Sequence, residues 1–176
     1  KDADYITNYL FEYGFNQSFY FKDLLIVSKH PFIHKAGFEF KDQGKFFSLA
    51  ILDVLYKKAF QIVKIKINRQ IFLVANVHLL SALSCDKEIH QKVRENQAIE
   101  LCKYAKRQKV EKFILVGDFN FHKHSPPYMT IKKRFNFIDP FEKTKIKVLS
   151  PLNFPSNIMI ALTIWRFMDK KALLMH

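Results

Sequence analysis

The pattern of apolar residues along the chain predicts a protein rich in β-strands. Residues 24–27 are a continuous apolar run, typical of a buried strand, and Pro31 stops it because proline cannot continue a hydrogen-bonded ladder. Apolar and polar residues alternate in residues 61–67, and residues 68–70 form a turn into the next, mostly apolar strand. Strands are predicted over residues 23–29, 46–55, 61–67, 71–79 and 113–116.

Two segments carry helical periodicity. In residues 4–13 the apolar side chains recur at helical spacing, and Gly14 is placed to cap that helix at its carboxyl end. Residues 88–109 have an apolar face opposite a charged face. Residues 124–128 include two prolines and are predicted to form a loop. This order of elements predicts an α/β domain on a sheet whose pairing is partly antiparallel.

Composition and charge narrow the class of protein. The chain has 176 residues, 49% of them hydrophobic, which is enough for one domain with a core. No apolar run reaches the roughly 18 residues that cross a bilayer. The formal net charge of +13 favours an anionic partner, namely nucleic acid, phospholipid head groups or a phosphorylated small molecule. Part of that charge follows from a compositional bias towards Lys, Ile, Phe and Asn with few glycines.

The cysteines and the start of the chain leave the compartment open. Cys85 and Cys102 do not have a metal-binding spacing, and they can form a bridge only if the fold brings them together. The chain starts at Lys1, without an initiator Met or a signal-peptide pattern, and directly in a helical pattern. We therefore expect further sequence upstream, and a soluble or a membrane-peripheral location is compatible with the chain.

Residues 113–120 carry the clearest chemical signal. Four apolar residues predict a buried strand, and Gly117 is expected to let the backbone turn at its end. Asp118 and Asn120 follow, and both side chains point the same way if the chain stays extended. An acid and an amide would then lie together at a strand terminus, where α/β proteins place their chemistry. An ordinary Asx turn explains the same residues without a function.

A second strand ends near His78, and the helix after it carries Arg94 and Gln97 one turn apart. A histidine on an apolar strand is more often a core residue than a catalyst. Together with the Gly-Asp-Phe-Asn run, however, these residues resemble the endonuclease/exonuclease/phosphatase superfamily. That superfamily includes deoxyribonuclease-like nucleases, abasic-site endonucleases, inositol polyphosphate phosphatases and neutral sphingomyelinases.

The resemblance rests on elements that occur in the family's order: residues 25–32, residues 76–79, Arg94 with Gln97, residues 117–120 and residues 138–141. It covers residues 1–142 and is poor after residue 145. Between His78 and Arg94 the chain is most similar to the neutral sphingomyelinase branch. The resemblance implies a mixed-sheet α/β sandwich of the deoxyribonuclease-like type, as one incomplete domain over residues 1–176.

The resemblance also implies a chemistry, in which a metal-assisted water attacks a phosphodiester. Asp118 is expected to act as general base, and Asn120 to hold the water or a phosphoryl oxygen. His78 is expected to stabilise the phosphoryl oxygens as they become more negative. Mg²⁺ is expected to polarise the phosphoryl group, and Arg94 and Gln97 to support the site structurally.

The chain departs from the family's pattern at both ends. The family's metal-binding Glu precedes the first long helix and would lie upstream of Lys1, and the family's Asp-His dipeptide is absent from the sequence. Asp169 is the candidate metal ligand, in a poor and out-of-register match to the strand that precedes this dipeptide in the family. Because Mg²⁺ is held by few carboxylates, losing one matters. We therefore predict that this chain alone, as a fragment or the product of a decayed gene, has little or no activity.

Three functions are compared. The first is a phosphodiesterase that acts on a phospholipid, sphingomyelin by preference. In this hypothesis Phe135, Phe137 and the basic surface contact a membrane. Core packing is, however, the favoured interpretation of these two rings. The second, a nuclease, suits the charge, but residues 103–112 are interpreted as a solvated helix face, so nucleic acid is the less favoured partner. The third is a non-catalytic remnant that binds anionic lipid or nucleic acid through charge alone. No obligate protein partner is inferred.

Overall fold

The computed structural model describes residues 2–44, 57–81, 87–135, 137–139 and 159–160. These residues form three helices and seven strands, so the predicted α/β class is confirmed. The helices are α1 (Asp2–Phe11), α2 (Lys87–Arg107) and α3 (Pro126–Phe135). The strands are β1 (Gln17–Phe21), β2 (Leu24–Ser28), β3 (Phe32–Glu39), β4 (Ala59–Ile67), β5 (Gln70–His78), β6 (Lys112–Asp118) and β7 (Met159–Ile160).

The strands form two sheets of mixed pairing. In the first sheet, β2 lies between β1, which is antiparallel to it, and β7, which is parallel to it. The second sheet has the order β3-β4-β5-β6, antiparallel except for the parallel pair of β5 and β6. A two-residue turn at Asn68 and Arg69, with φ of 48° and 68°, joins β4 to β5 as the sequence predicted.

The two sheets pack face to face because β2 is apolar on both sides. Ile26 points towards the second sheet and joins Val63 and Val74 in one buried cluster. Leu25 and Val27 point the other way and pack under Leu10 of α1. Successive strand side chains face opposite sides, so a continuous apolar run is what a strand between two layers requires.

The far face of the second sheet is covered by α2. Phe60 and Ile62 of β4 and Leu73 of β5 are buried there together with Leu101 and Ala105 of the helix. The layers are therefore α1, the first sheet, the second sheet and then α2 with α3, which is the predicted α/β sandwich. None of the described helices has both the length and the apolar character needed to span a bilayer.

Gly14 caps α1 as predicted, although the helix has its bounds about two residues earlier than the sequence suggested. Gly14 has φ of +84°, its N–H donates to the Phe11 carbonyl at 2.9 Å, and the Phe15 N–H donates to the Leu10 carbonyl at 3.2 Å. This pair of bonds, with Phe15 and Leu10 buried in one cluster, is a Schellman motif. It stops the helix and directs the chain into β1.

Three expectations about elements were wrong. Residues 124–128 are not all loop, because Pro126 begins α3; proline lacks only an N–H that the first turn leaves unpaired anyway. Strands β1 and β3 were not predicted, since both are only partly buried and their apolar pattern is weak. The strand predicted as buried over residues 113–116 is half-buried, because β6 has one partner strand in the described sheet. The strand predicted over residues 46–55 lies outside the described residues.

Phe135 and Phe137 are half-buried and pack against the core. Their ring centroids lie 5.1 and 5.2 Å from that of Phe113, whereas Asn136 lies outside the described residues. Lys103 and Lys106 are exposed on α2, but the helix ends at Arg107 and Lys112 begins β6, so the expectation that residues 103–112 form one helix face is wrong.

Cys102 is a free thiol buried between α2 and α3. Burial raises the pKa of Cys102 to about 11, so this thiol is protonated at neutral pH and packs as a small apolar group. Cys85 lies outside the described residues.

Candidate functional site

Polar side chains lie in one row at one edge of the second sheet. The strand register places Glu39 opposite Ala59, Ala59 opposite His78, and His78 opposite Asp118. Directly paired residues present their side chains on the same face of a sheet. This row faces the first sheet, since Val74 on the same side of β5 packs against Ile26. The two strand ends that the sequence nominated separately are thus brought side by side.

His78 is held between two carboxylates and an ammonium group. Its Nδ1 lies 2.5 Å from Oδ2 of Asp23, in the turn between β1 and β2. Its Nε2 lies 3.1 Å from Nζ of Lys58 and 4.0 Å from Oδ2 of Asp118. The His78 side chain is only 13% exposed, so these contacts are shielded from bulk water.

Asp23 and Lys58 were not nominated by the sequence. Each directly precedes an observed strand, since Asp23 comes before β2 and Lys58 before β4. Because β4 runs antiparallel to β5, the start of β4 lies at the sheet edge where β5 and β6 end, and Asp23 at the start of β2 reaches the same edge from the first sheet. Both residues could have been predicted from the sequence by searching for charged residues just before strands whose starts lie beside the polar ends of other strands.

The charge of Asp23 is stabilised by its partner. Burial raises the pKa of Asp23, but the hydrogen bond from His78, and the charge of that ring when it is protonated, act in the opposite sense, with a smaller contribution from Lys58. The net result is a pKa below the ordinary value of 3.8. Asp23 is therefore ionised at neutral pH and accepts the Nδ1 proton of His78, which fixes the orientation of the imidazole ring.

The lowered pKa predicts how stability depends on pH. A carboxyl group whose folded-state pKa is depressed contributes stability above its unfolded-state pKa and loses it as the pH falls through the folded-state pKa. We therefore expect the wild-type chain to have a higher free energy of unfolding than Asp23→Asn, and this excess to be largest near neutral pH. The excess should decline as the pH falls below about 4. Urea unfolding of both proteins at neutral and acidic pH measures this; an excess that is constant with pH would contradict the Asp23–His78 interaction.

The chain does not stay extended after Asp118, so the expectation that the Asp118 and Asn120 side chains project together is wrong. Asn120 has φ of +49°, and its N–H donates to Oδ1 of Asp118 at 3.0 Å, which is an Asx turn. The Asn120 side-chain amide donates to the Leu79 carbonyl at 2.9 Å. One oxygen of Asp118 thus holds the turn while the other faces His78.

The sequence suggested that the chain turns at Gly117, and this expectation is wrong. It lies inside β6, directly opposite Val77 in the parallel ladder, with φ of +132°. The turn comes later, at Asn120. What the position requires is the absence of a side chain, because the backbone of β5 approaches closely there.

Arg94 and Gln97 brace the loops behind the site. Oε1 of Gln97 accepts a hydrogen bond from the Leu80 N–H at 2.9 Å, and its Nε2 donates to the Asp42 carbonyl at 2.8 Å. Nη1 of Arg94 donates to the carbonyls of Leu80 and Ser81 at 3.3 Å each. Burial lowers the pKa of Arg94, yet the guanidinium keeps its charge at any physiological pH. Both side chains connect α2 to the segment that follows His78.

The described residues do not fit a Mg²⁺ site. Among them, no group of three or more His, Cys, Asp or Glu side chains is arranged to hold a metal ion. Asp23 is engaged by His78, and the Lys58 ammonium occupies the space beside Nε2, where it would repel a divalent cation. Asp169, the candidate ligand from the sequence, lies outside the described residues.

Comparison with known proteins places the fold. No protein-family model and no curated protein matches the chain. It is similar to a double mutant of beta toxin from Staphylococcus aureus with bound magnesium ions, at 27% identity and a TM-score of 0.55, over 65% of this chain and 39% of that one. A β-hairpin deletion mutant of the same toxin has 28% identity and a TM-score of 0.53, over 65% and 40%.

A third similar structure is sphingomyelinase C from Streptomyces griseocarneus. It has 18% identity and a TM-score of 0.52, over 65% of this chain and 39% of that one, so it bears on the fold alone. The chain spans about two fifths of the length of these solved structures.

Proposed function

We infer that this chain, which has the deoxyribonuclease-like fold of the endonuclease/exonuclease/phosphatase superfamily, carries part of the active site of a phosphodiester hydrolase. The observation that carries the proposal is the row at the sheet edge. There His78 is oriented by Asp23 and lies beside Lys58 and Asp118, in a shielded position at the end of two parallel strands. Charged groups that converge on one imidazole at such an edge are typical of a catalytic centre and rare in a structural core.

Each side chain has a defined task in this proposal. Asp118 keeps Oδ2 free of the Asx turn and acts as general base towards an attacking water. Asn120 holds the loop that carries Asp118, through its bond to Leu79. Lys58 supplies positive charge, and His78 hydrogen bonding, to the anionic phosphoryl oxygens, where a low local dielectric strengthens the attraction.

The proposed substrate class is phospholipid, with sphingomyelin preferred. It rests on the similarity of the segment between His78 and Arg94 to the neutral sphingomyelinase branch. Mg²⁺ is the proposed cofactor of the whole protein because one similar structure carries bound magnesium ions. Its ligands would come from outside the described residues, where Asp169 is the candidate in this chain. An anionic membrane surface is the proposed docking partner, on account of the +13 net charge.

The test is hydrolysis by the purified chain on sphingomyelin vesicles and on plasmid DNA, each with and without Mg²⁺. We expect weak, Mg²⁺-dependent release of phosphocholine that falls by at least about 100-fold in Asp118→Ala, because a positioned general base contributes that much. Glu111→Ala is the matched control, an exposed carboxylate just before β6, and should leave the rate unchanged.

The other outcomes separate the alternatives. Cleavage of plasmid DNA with no release of phosphocholine would assign a nuclease. Turnover that survives Asp118→Ala would refute the proposed role of this carboxylate. If neither substrate is cleaved, and binding to vesicles or DNA collapses with salt yet is unaffected by Asp118→Ala, the chain is a charged, non-catalytic remnant.

A further inference from the structure

Lys58 is a buried cation in direct contact with the proposed catalytic histidine. The residue is only 3% exposed, and its Nζ lies 3.1 Å from Nε2 of His78. A lysine is almost never this buried unless its charge is matched by acceptors. The contact therefore constrains both groups, and the proposed function, which directs the charge of Lys58 towards a substrate, assigns no role to the contact between Lys58 and His78 itself.

The direction of the hydrogen bonds follows from the donors available. An ammonium group has three donors and no acceptor, so Nε2 of His78 must accept from Lys58. A neutral imidazole has one donor nitrogen and one acceptor nitrogen, which leaves the proton on Nδ1, where it is donated to Asp23 at 2.5 Å. We propose that Lys58 is a positioning residue that holds His78 neutral, with the ring proton on Nδ1 and with Nε2 occupied by the hydrogen bond from Lys58.

The backbone of Lys58 is fixed so that its side chain stays at this place. Oε1 of Gln43 accepts from the Lys58 N–H at 2.7 Å, and Nε2 of Gln43 donates to the Lys58 carbonyl at 2.9 Å. The Phe40 N–H donates to the same carbonyl at 3.1 Å. The adjacent Lys57 extends to Glu39, with 3.0 Å between Nζ and Oε2. Of these two neighbouring lysines, the buried Lys58 contacts His78 and the exposed Lys57 pairs with Glu39.

Three charged groups face the imidazole ring of His78. Asp23 in the β1–β2 turn lies 2.5 Å from Nδ1, and Oδ2 of Asp118 at the end of β6 lies 4.0 Å from Nε2. Lys58, just before β4, lies 3.1 Å from Nε2, and two cationic donors at that distance would repel each other. The positive charge at the Nε2 edge therefore resides on Lys58, and His78 acts there as an acceptor. An anionic oxygen that accepts from Lys58 would release Nε2 to take up a proton.

As a role in catalysis this rests on the proposed hydrolase function, but the protonation state of His78 can be measured without turnover. The ¹⁵N resonances of a labelled histidine ring distinguish a protonated from an unprotonated nitrogen. They are to be recorded at neutral pH on the full chain, for the wild type, Lys58→Met, Lys58→Arg and the matched control Lys57→Met, with His78→Gln to assign the signals. Inorganic phosphate is then added to the wild type as the anionic probe.

In the wild type we expect Nδ1 protonated and Nε2 unprotonated, and the same in Lys57→Met and in Lys58→Arg, which keeps a cationic donor. In Lys58→Met we expect Nε2 to become protonated, and phosphate should move the wild-type Nε2 signal in the same direction. A protonated Nε2 in the wild type would overturn the proposal, and that measurement stands even if Lys58→Met does not fold. An unchanged Nε2 signal in folded Lys58→Met would overturn it as well. If the chain cleaves neither substrate but His78 shows the expected ring states, the catalytic role is refuted and the positioning role of Lys58 stands.

Discussion

Gly117→Ala is expected to lower the free energy of unfolding by about 3 kcal/mol or more, since overpacking and backbone strain each cost about 1–3 kcal/mol. A Cβ at this position would lie 2.0 Å from the Val77 carbonyl oxygen and 2.6 Å from the Val77 nitrogen. Both atoms belong to the backbone of β5, so no side-chain rotation can relieve the clash. The φ of +132° is also a conformation that L-residues rarely adopt.

Urea unfolding of the two proteins measures this cost, and Gly14→Ala separates its two causes. Gly14 also has positive φ, +84°, but the nearest atom to an added Cβ there is 3.9 Å away on Lys29, so only backbone strain is introduced. We expect a cost of about 1–2 kcal/mol for Gly14→Ala. If Gly117→Ala costs no more than Gly14→Ala, the close approach of β5 and β6 is wrong. Because Asp118 follows Gly117, any shift that relieves the clash also moves the proposed base away from His78.

Gln97→Leu is expected to destabilise the chain by about 1.5–4.5 kcal/mol, from about 1–3 kcal/mol for the buried Leu80 N–H left without a partner and about 0.5–1.5 kcal/mol for the partly buried bond to the Asp42 carbonyl. Gln97 is fully buried, and its amide satisfies the Leu80 N–H and the Asp42 carbonyl. Leucine has a similar volume and no polar atoms, so the substitution removes both bonds and adds little steric strain. The free energy of unfolding from urea titration gives the magnitude.

Asn96→Leu is the matched control for that experiment. Asn96 precedes Gln97 on α2, and its amide donates to Oδ2 of Asp42 at 2.7 Å, in a partly exposed setting where water can replace it. We expect this variant to cost no more than about 1.5 kcal/mol. Equal costs for the two variants would show that Gln97 contributes through helix propensity or packing, and that the bonds to Leu80 and Asp42 are not the source.

Elements buried on a defined face were predictable from the sequence. Strands β2, β4 and β5 and helix α2 follow the apolar pattern because each is covered on one or both sides, and burial selects apolar residues. Strands β1 and β3 escaped prediction because their half-exposed positions tolerate polar residues. Gly37 of β3 adds to this, because a Cβ there would lie 2.2 Å from the Phe21 ring of β1. A contact between strands of two different sheets leaves no local pattern in the sequence.

The sequence by itself placed His78 and Asp118 after apolar runs at strand ends, and the resemblance to the superfamily's motifs nominated them as site residues together with Arg94 and Gln97. Only the tertiary structure decided that Asp23 and Lys58 share that site, and that Asn120 closes a turn when an extended chain was expected. The reason is physical. A strand's local pattern encodes which of its faces is buried, whereas the meeting of Lys58 with His78 depends on the register between β4 and β5 and on the packing of one sheet against the other.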